Sequence, residues 1–106
     1  MKKKEVKNGR YVDNYGIVCW YKNSKLHCED GPAIEWPTGS KEWYLEGERH
    51  REDGPAIEYA NGDKSWYING FKYTKEEFNL WTQKKHLNER LQQTLEVKPQ
   101  GKKVKI

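Results

Sequence analysis

The chain of 106 residues is poor in apolar mass: 34% is hydrophobic, with one Met and two Phe, and mean hydropathy is -1.22. That scarcity argues against a three-layer globule with a deep core, and the length allows one domain at most. No apolar run reaches transmembrane length and no leader pattern stands at the start, so a cytosolic protein without a membrane partner is expected. Cysteine is nearly absent. Cys19 and Cys28 are the two present, and reduced thiols fit that compartment. There is no Cys-x-x-Cys, and the spacing of Cys19, His27, Cys28 and His50 matches no usual zinc pattern, so no metal is expected. No phosphate-cradling glycine loop is present either, since the glycines fall at turns. No catalytic constellation and no cofactor are expected, and the chain reads as non-enzymatic.

What is abundant is Trp and Tyr, five and seven residues. These side chains cover a large area while keeping a polar tip wet, which suits a thin sheet. Charge is unevenly placed. Residues 1–10 carry +4 and residues 97–106 carry +4; with +4 in total, residues 11–96 carry −4. The basic character belongs to the ends and the middle is acidic. The ends therefore read either as solubilising, disordered tails or as nucleic-acid contacts through Lys2, Lys3, Lys4, Lys102, Lys103 and Lys105.

The middle repeats. Trp20, Trp43 and Trp66 step by 23 residues, each followed by a Tyr: Tyr21, Tyr44 and Tyr67. The string Glu29-Asp30-Gly31-Pro32-Ala33-Ile34-Glu35 returns as Glu52-Asp53-Gly54-Pro55-Ala56-Ile57-Glu58. Each unit reads as two strands. One holds Trp-Tyr and ends at a turn such as Glu46-Gly47 or Asn69-Gly70, the second a strong hairpin signal. The other is Ala56-Ile57-Glu58-Tyr59, entered through Asp53-Gly54-Pro55. Neighbours on a strand point to opposite faces. Trp and Tyr therefore form separate rows, with Ile34 and Ile57 in another, and the Trp row is expected inside on size. The fold class is mainly β with one C-terminal helix: an antiparallel meander of repeated hairpins covered or capped by that helix. The divisions are a basic tail over 1–10, hairpin repeats over 11–73, the helix over 74–97 and a basic tail over 98–106.

The helix begins at a capping box, Thr74-Lys75-Glu76-Glu77. At 100° per residue, Leu80, Trp81, Leu87, Leu91 and Leu95 fall on a stripe roughly 120° wide, with Phe78 at its edge. About 20 residues span roughly 30 Å, close to the width of five or six strands. Phe78 and Trp81 are thus expected to cover the sheet, and Leu87, Leu91 and Leu95 either do the same or pair two copies; the chain is a monomer or a homodimer.

His27 and His50 occupy equal places, as do Asp30 and Asp53. A feature present once per unit reads as turn chemistry: Asp before Gly-Pro caps backbone N–H groups, and His or Arg anchors it. Cys28 stands in the place of Arg51 and reads as drift at a surface position. Where Trp20, Tyr21, Trp43, Tyr44, Trp66 and Tyr67 are exposed they could stack unpaired bases beside the basic tails. Glu35, Glu42, Glu46, Glu48, Glu52 and Glu58 repel phosphate, however, and an aromatic and acidic surface suits a basic protein patch better.

Gly39, Trp43, Tyr44, Gly47 and His50, with Gly62, Trp66, Tyr67, Ile68, Asn69 and Gly70, resemble the MORN-repeat variant. His50-Arg51-Glu52-Asp53-Gly54-Pro55-Ala56-Ile57-Glu58-Tyr59 is similar to short tandem-repeat proteins of tailed bacteriophages. The likeness covers residues 15–73. It implies stacked hairpins and a binding role without catalysis. Lipid contact, known among MORN repeats, transfers poorly, because Arg51-Glu52-Asp53-Gly54-Pro55 replaces their plainer glycine turn. The phage likeness implies an inhibitor of a host defence protein, acting in the host cytoplasm.

Overall fold

The computed structural model describes residues 5–97, the side chains of 93–97 excepted. Ten short strands precede one helix. They are β1 (Gly9–Val12), β2 (Val18–Lys22), β3 (Lys25–Leu26), β4 (Ile34–Glu35), β5 (Lys41–Glu42), β6 (Tyr44–Leu45), β7 (Glu48–Arg49), β8 (Ile57–Glu58), β9 (Lys64–Ile68) and β10 (Phe71–Tyr73), followed by α1 (Lys75–Val97). The order β1-β2-β4-β5-β8-β9-β10 is an antiparallel meander; β3 pairs with β2 beside that path, and β6 and β7 form their own hairpin. The chain divides into two compact units, one through Lys75 and one from Glu76. The fold is therefore mainly antiparallel β with one C-terminal helix.

Two kinds of hairpin alternate. The connections Asn23-Ser24, Glu46-Gly47 and Asn69-Gly70 all carry positive φ at both residues. Such turns match the right-handed twist of the flanking strands. The other connections close on Gly16, Gly39 and Gly62, also at positive φ. In each, the glycine N–H donates to the carbonyl three residues back, on Asp13, Trp36 and Tyr59.

The Trp-Tyr strands are shared between neighbours. In β2, Cys19 pairs with Ile34 while Tyr21 pairs with Leu26. In the middle copy Trp43 interrupts the strand, leaving β5 and β6 on either side. The backbone bonds recur 23 residues apart. Trp20 N–H donates to Ala33 O as Trp43 N–H does to Ala56 O, and Cys28 N–H donates to Tyr44 O as Arg51 N–H does to Tyr67 O. Gly47 N–H to Leu26 O and Gly70 N–H to Arg49 O join each turn to the hairpin before it.

The buried apolar side chains are Ala33, Ile34, Ala56, Ile57, Ile68 and Phe78. The Ala-Ile pairs, not the Trp row, are the dry part of the sheet. All six residues of the Trp and Tyr rows are half-buried. An indole needs on the order of 200 Å² of cover, and strands of two to five residues cannot enclose one on both faces.

One boundary differs from the sequence expectation. The N-terminal tail is shorter than residues 1–10, because β1 starts at Gly9 and Lys7 N–H already donates to Ser24 Oγ at 2.9 Å. The helix starts where its cap indicates: Thr74 precedes its first residue and Glu77 is its third. Its apolar character is redistributed, however. Phe78 is buried and stacks on Trp81 with centroids 6.5 Å apart, whereas Leu80, Leu87 and Leu91 are exposed. The side chain of Leu95 lies outside the described residues, as do Lys2, Lys3, Lys4, Lys102, Lys103 and Lys105.

Candidate protein-binding surface

The register assigns the aromatic rows to opposite faces. Tyr21 and Tyr67 share a face with Ile34, Glu42 and Ile57; Trp20 and Trp66 share the other with Glu35, Lys41, Glu58 and Lys64.

The tyrosine face is already occupied by the protein's own cations. Lys7 Nζ lies 4.9 Å from the Tyr21 ring, and Tyr11 meets Tyr21 edge-on at 5.4 Å. The Arg49 guanidinium lies 5.7 Å from the Tyr44 ring and 5.2 Å from that of Tyr67. Glu42, expected among the surface acids, is drawn into this face. It accepts from Trp36 Nε1 at 2.9 Å and from the Tyr44 hydroxyl at 3.1 Å, and it faces Arg49. Burial first, and the Glu42 carboxylate second, raise the Tyr44 pKa above its ordinary value.

Both repeated histidines bind turns. His50 Nδ1 accepts the N–H of Asn69 at 2.9 Å, and Nε2 meets Glu52 at 2.8 Å. His27 does the same with Glu46 N–H at 2.9 Å and Glu29 at 3.1 Å. With Nδ1 accepting, Nε2 carries the proton and donates to the carboxylate. The acid partners are thus Glu29 and Glu52, not Asp30 and Asp53, and each ring fastens the turn of the following unit. Its signal in sequence is the constant interval of 19 residues between each histidine and the turn it holds.

Arg51, by contrast, does anchor its Asp. Its Nε donates to Asp53 Oδ1 at 3.0 Å, while Nη1 donates to Pro55 O at 3.1 Å and to Glu58 Oε2 at 3.0 Å. The guanidinium lies over Trp43, 3.8 Å from the ring centroid. Position 51 is therefore the centre of a built cluster and not an open surface position.

Two open grooves lie along these loops. The larger, about 740 Å³, is lined by residues 28–32 and 50–53 with Trp43 and Leu45, so Arg51 stands in it among Glu29, Asp30, Glu52 and Asp53. The smaller, about 510 Å³, is formed by Trp20, Pro32, Asp30 and Glu35 beside Cys28. Both combine an indole with carboxylates, but Arg51 also lines the larger and already lies over Trp43. The smaller, lined by no Lys or Arg among the described residues, is therefore the one that favours an added cation and repels phosphate. Among the described residues, no group of three or more His, Cys, Asp or Glu is placed to hold a metal, and no helix is long and apolar enough to cross a membrane. Of the sequence candidates, Trp20 and Trp43 meet these grooves. Tyr21, Tyr44 and Tyr67 do not line them, and neither does Trp66. No protein-family model, curated protein or solved structure matches the chain.

Proposed function

We propose that this chain is a non-enzymatic protein-binding module that captures a basic segment of its partner on the Trp face. The observation behind this is the smaller groove, in which the Trp20 indole stands beside the carboxylates of Asp30 and Glu35 and, among the described residues, no Lys or Arg lines the wall. Cations are favoured there both by Coulomb attraction and by the ring quadrupole. The tyrosine face is a poorer candidate, since Lys7 and Arg49 already cover its rings. The duplicated histidines serve the turns, which leaves no acid–base pair for chemistry among the residues the sequence singled out. On the phage likeness, the partner is a host defence protein in the host cytoplasm.

The test is affinity capture from bacterial lysate with the native chain and with a Glu29→Gln, Asp30→Asn, Glu35→Gln triple variant. A partner retained by the first and lost by the second supports the proposal. Equal capture by both would place the contact elsewhere, and no reproducible partner would count against a binding module.

The rival is a nucleic-acid protein acting through Lys2, Lys3, Lys4, Lys102, Lys103 and Lys105, which the +4 at each end favours. Removing residues 1–4 and 98–106, while sparing Lys7 for its bond to Ser24, should then abolish a binding that weakens steeply with salt. Affinity unchanged by that removal would dispose of it.

A further inference from the structure

The two units differ at one informative place. In the second, an arginine of the chain itself fills a receptor. Trp43 gives the flat wall, Asp53 and Glu58 the carboxylates, and Pro55 a carbonyl. Gly54 completes it: a Cβ there would lie 3.0 Å from Arg51 Cζ, tighter than ordinary contact, so glycine lets the guanidinium sit close.

Twenty-three residues earlier, every part of that receptor is kept: Trp20, Asp30, Glu35, Pro32 and Gly31. The backbone pose at its centre is the same, with Cys28 N–H donating to Tyr44 O at 3.1 Å where Arg51 N–H donates to Tyr67 O at 3.2 Å. The arginine, however, is replaced by Cys28, whose side chain is too short to carry a group over the Trp20 ring. A Cβ on Gly31 would meet nothing within 4 Å, so the space taken by a guanidinium over Gly54 is open over Gly31. The smaller groove is that space. Arg10, the Cα partner of Trp20 across β1, does not line it.

We propose that the recess beside Trp20 is a receptor for one arginine side chain of a partner protein. The proposal rests on the protein-binding function above and supplies the chemistry of recognition. The incoming guanidinium stacks on Trp20 and pairs with Asp30 and Glu35, as Arg51 does with its own set. Lysine fits less well, because an ammonium has no planar face to stack and no fork to reach two carboxylates at once.

The experiment titrates the full chain with the end-blocked pentapeptide Gly-Gly-Arg-Gly-Gly and with its Lys counterpart, following the assigned Trp20 indole N–H by NMR. The Arg peptide should shift that signal saturably and bind at least about threefold tighter than the Lys peptide. Cys28→Arg should fill the recess from within and weaken peptide binding about tenfold or more, the scale of a lost charge-assisted pair. Glu35→Gln, an exposed change that leaves the sheet intact, should weaken it about threefold or more and answers the question if Cys28→Arg fails to fold. Equal binding of the two peptides, undiminished binding by either variant, or no saturable shift would overturn the receptor. Those results would leave lysate capture unaffected, whereas a peptide response without any captured partner would keep the receptor and remove the partner.

Discussion

At the residue scale, the clearest expectation concerns His50. Its ring is buried and bridges two partners, so His50→Ala removes the acceptor of the Asn69 N–H and the contact to Glu52. A loss of about 2 kcal/mol is expected in denaturant unfolding, and a loss below the error of that measurement would deny the clamp. The glycines separate backbone from packing. Gly62 sits at φ 98, and a methyl group added there would meet nothing within 4 Å, so Gly62→Ala tests backbone conformation alone. It should cost about 1 kcal/mol or more. Gly31→Ala, with ordinary φ and open space, should cost well under that in the same assay. Tyr44 gives a pH expectation. Its phenol pKa is raised in the fold, by burial first and by Glu42 next. The protonated form is thereby favoured in the folded state. That stability is complete below the ordinary value of 10.0 and lost as pH rises through the raised pKa. Tyr44→Phe should flatten this alkaline limb of the stability profile; an unchanged limb would assign it to other groups.

At the element scale, the three positive-φ hairpin turns are the points of local cost. Glu46 adopts φ 52 without the short side chain that makes Asn tolerant of this region. Asn69 occupies the equivalent place at φ 50. Glu46→Asn should therefore raise thermal stability by a few degrees, corresponding to about 0.5–1 kcal/mol. The ion pair of Glu46 with Lys22 is largely exposed and contributes little against that gain. In α1, Leu87 and Leu91 are about half exposed, at 49% and 53%. If this stripe joins two copies, Leu87→Lys with Leu91→Lys should convert a dimer to monomer in light scattering. A chain that is monomeric at high concentration before any change removes the dimer.

At the scale of the whole molecule, the sheet depends on very few buried side chains. Ile57, only 4% exposed, stands between Glu42 and Ser65 across three strands. Ile57→Ala should cost about 2–4 kcal/mol, much of the stability of so small a domain. The sequence alone determined the meander, the hairpin turns and the helix start, because these follow from local preferences: Asn-Gly at positive φ, Gly-Pro before a strand, Thr ahead of Glu at a cap. The period of 23 also announced that the histidines belong to the units. Tertiary structure decided what each repeated residue touches. Trp and Tyr, adjacent in the chain, went to opposite faces as alternation requires, but only the placement of Lys7 and Arg49 closed the Tyr face. Leu80 looked as apolar as Phe78, yet only Phe78 is buried, since helical periodicity fixes an angle and not a neighbour. Cys28 looked like neutral variation until Arg51 was seen lying on Trp43. The repeat supplied the correspondence between the two positions, and the packing of a guanidinium against indole, glycine and two carboxylates gave it physical meaning.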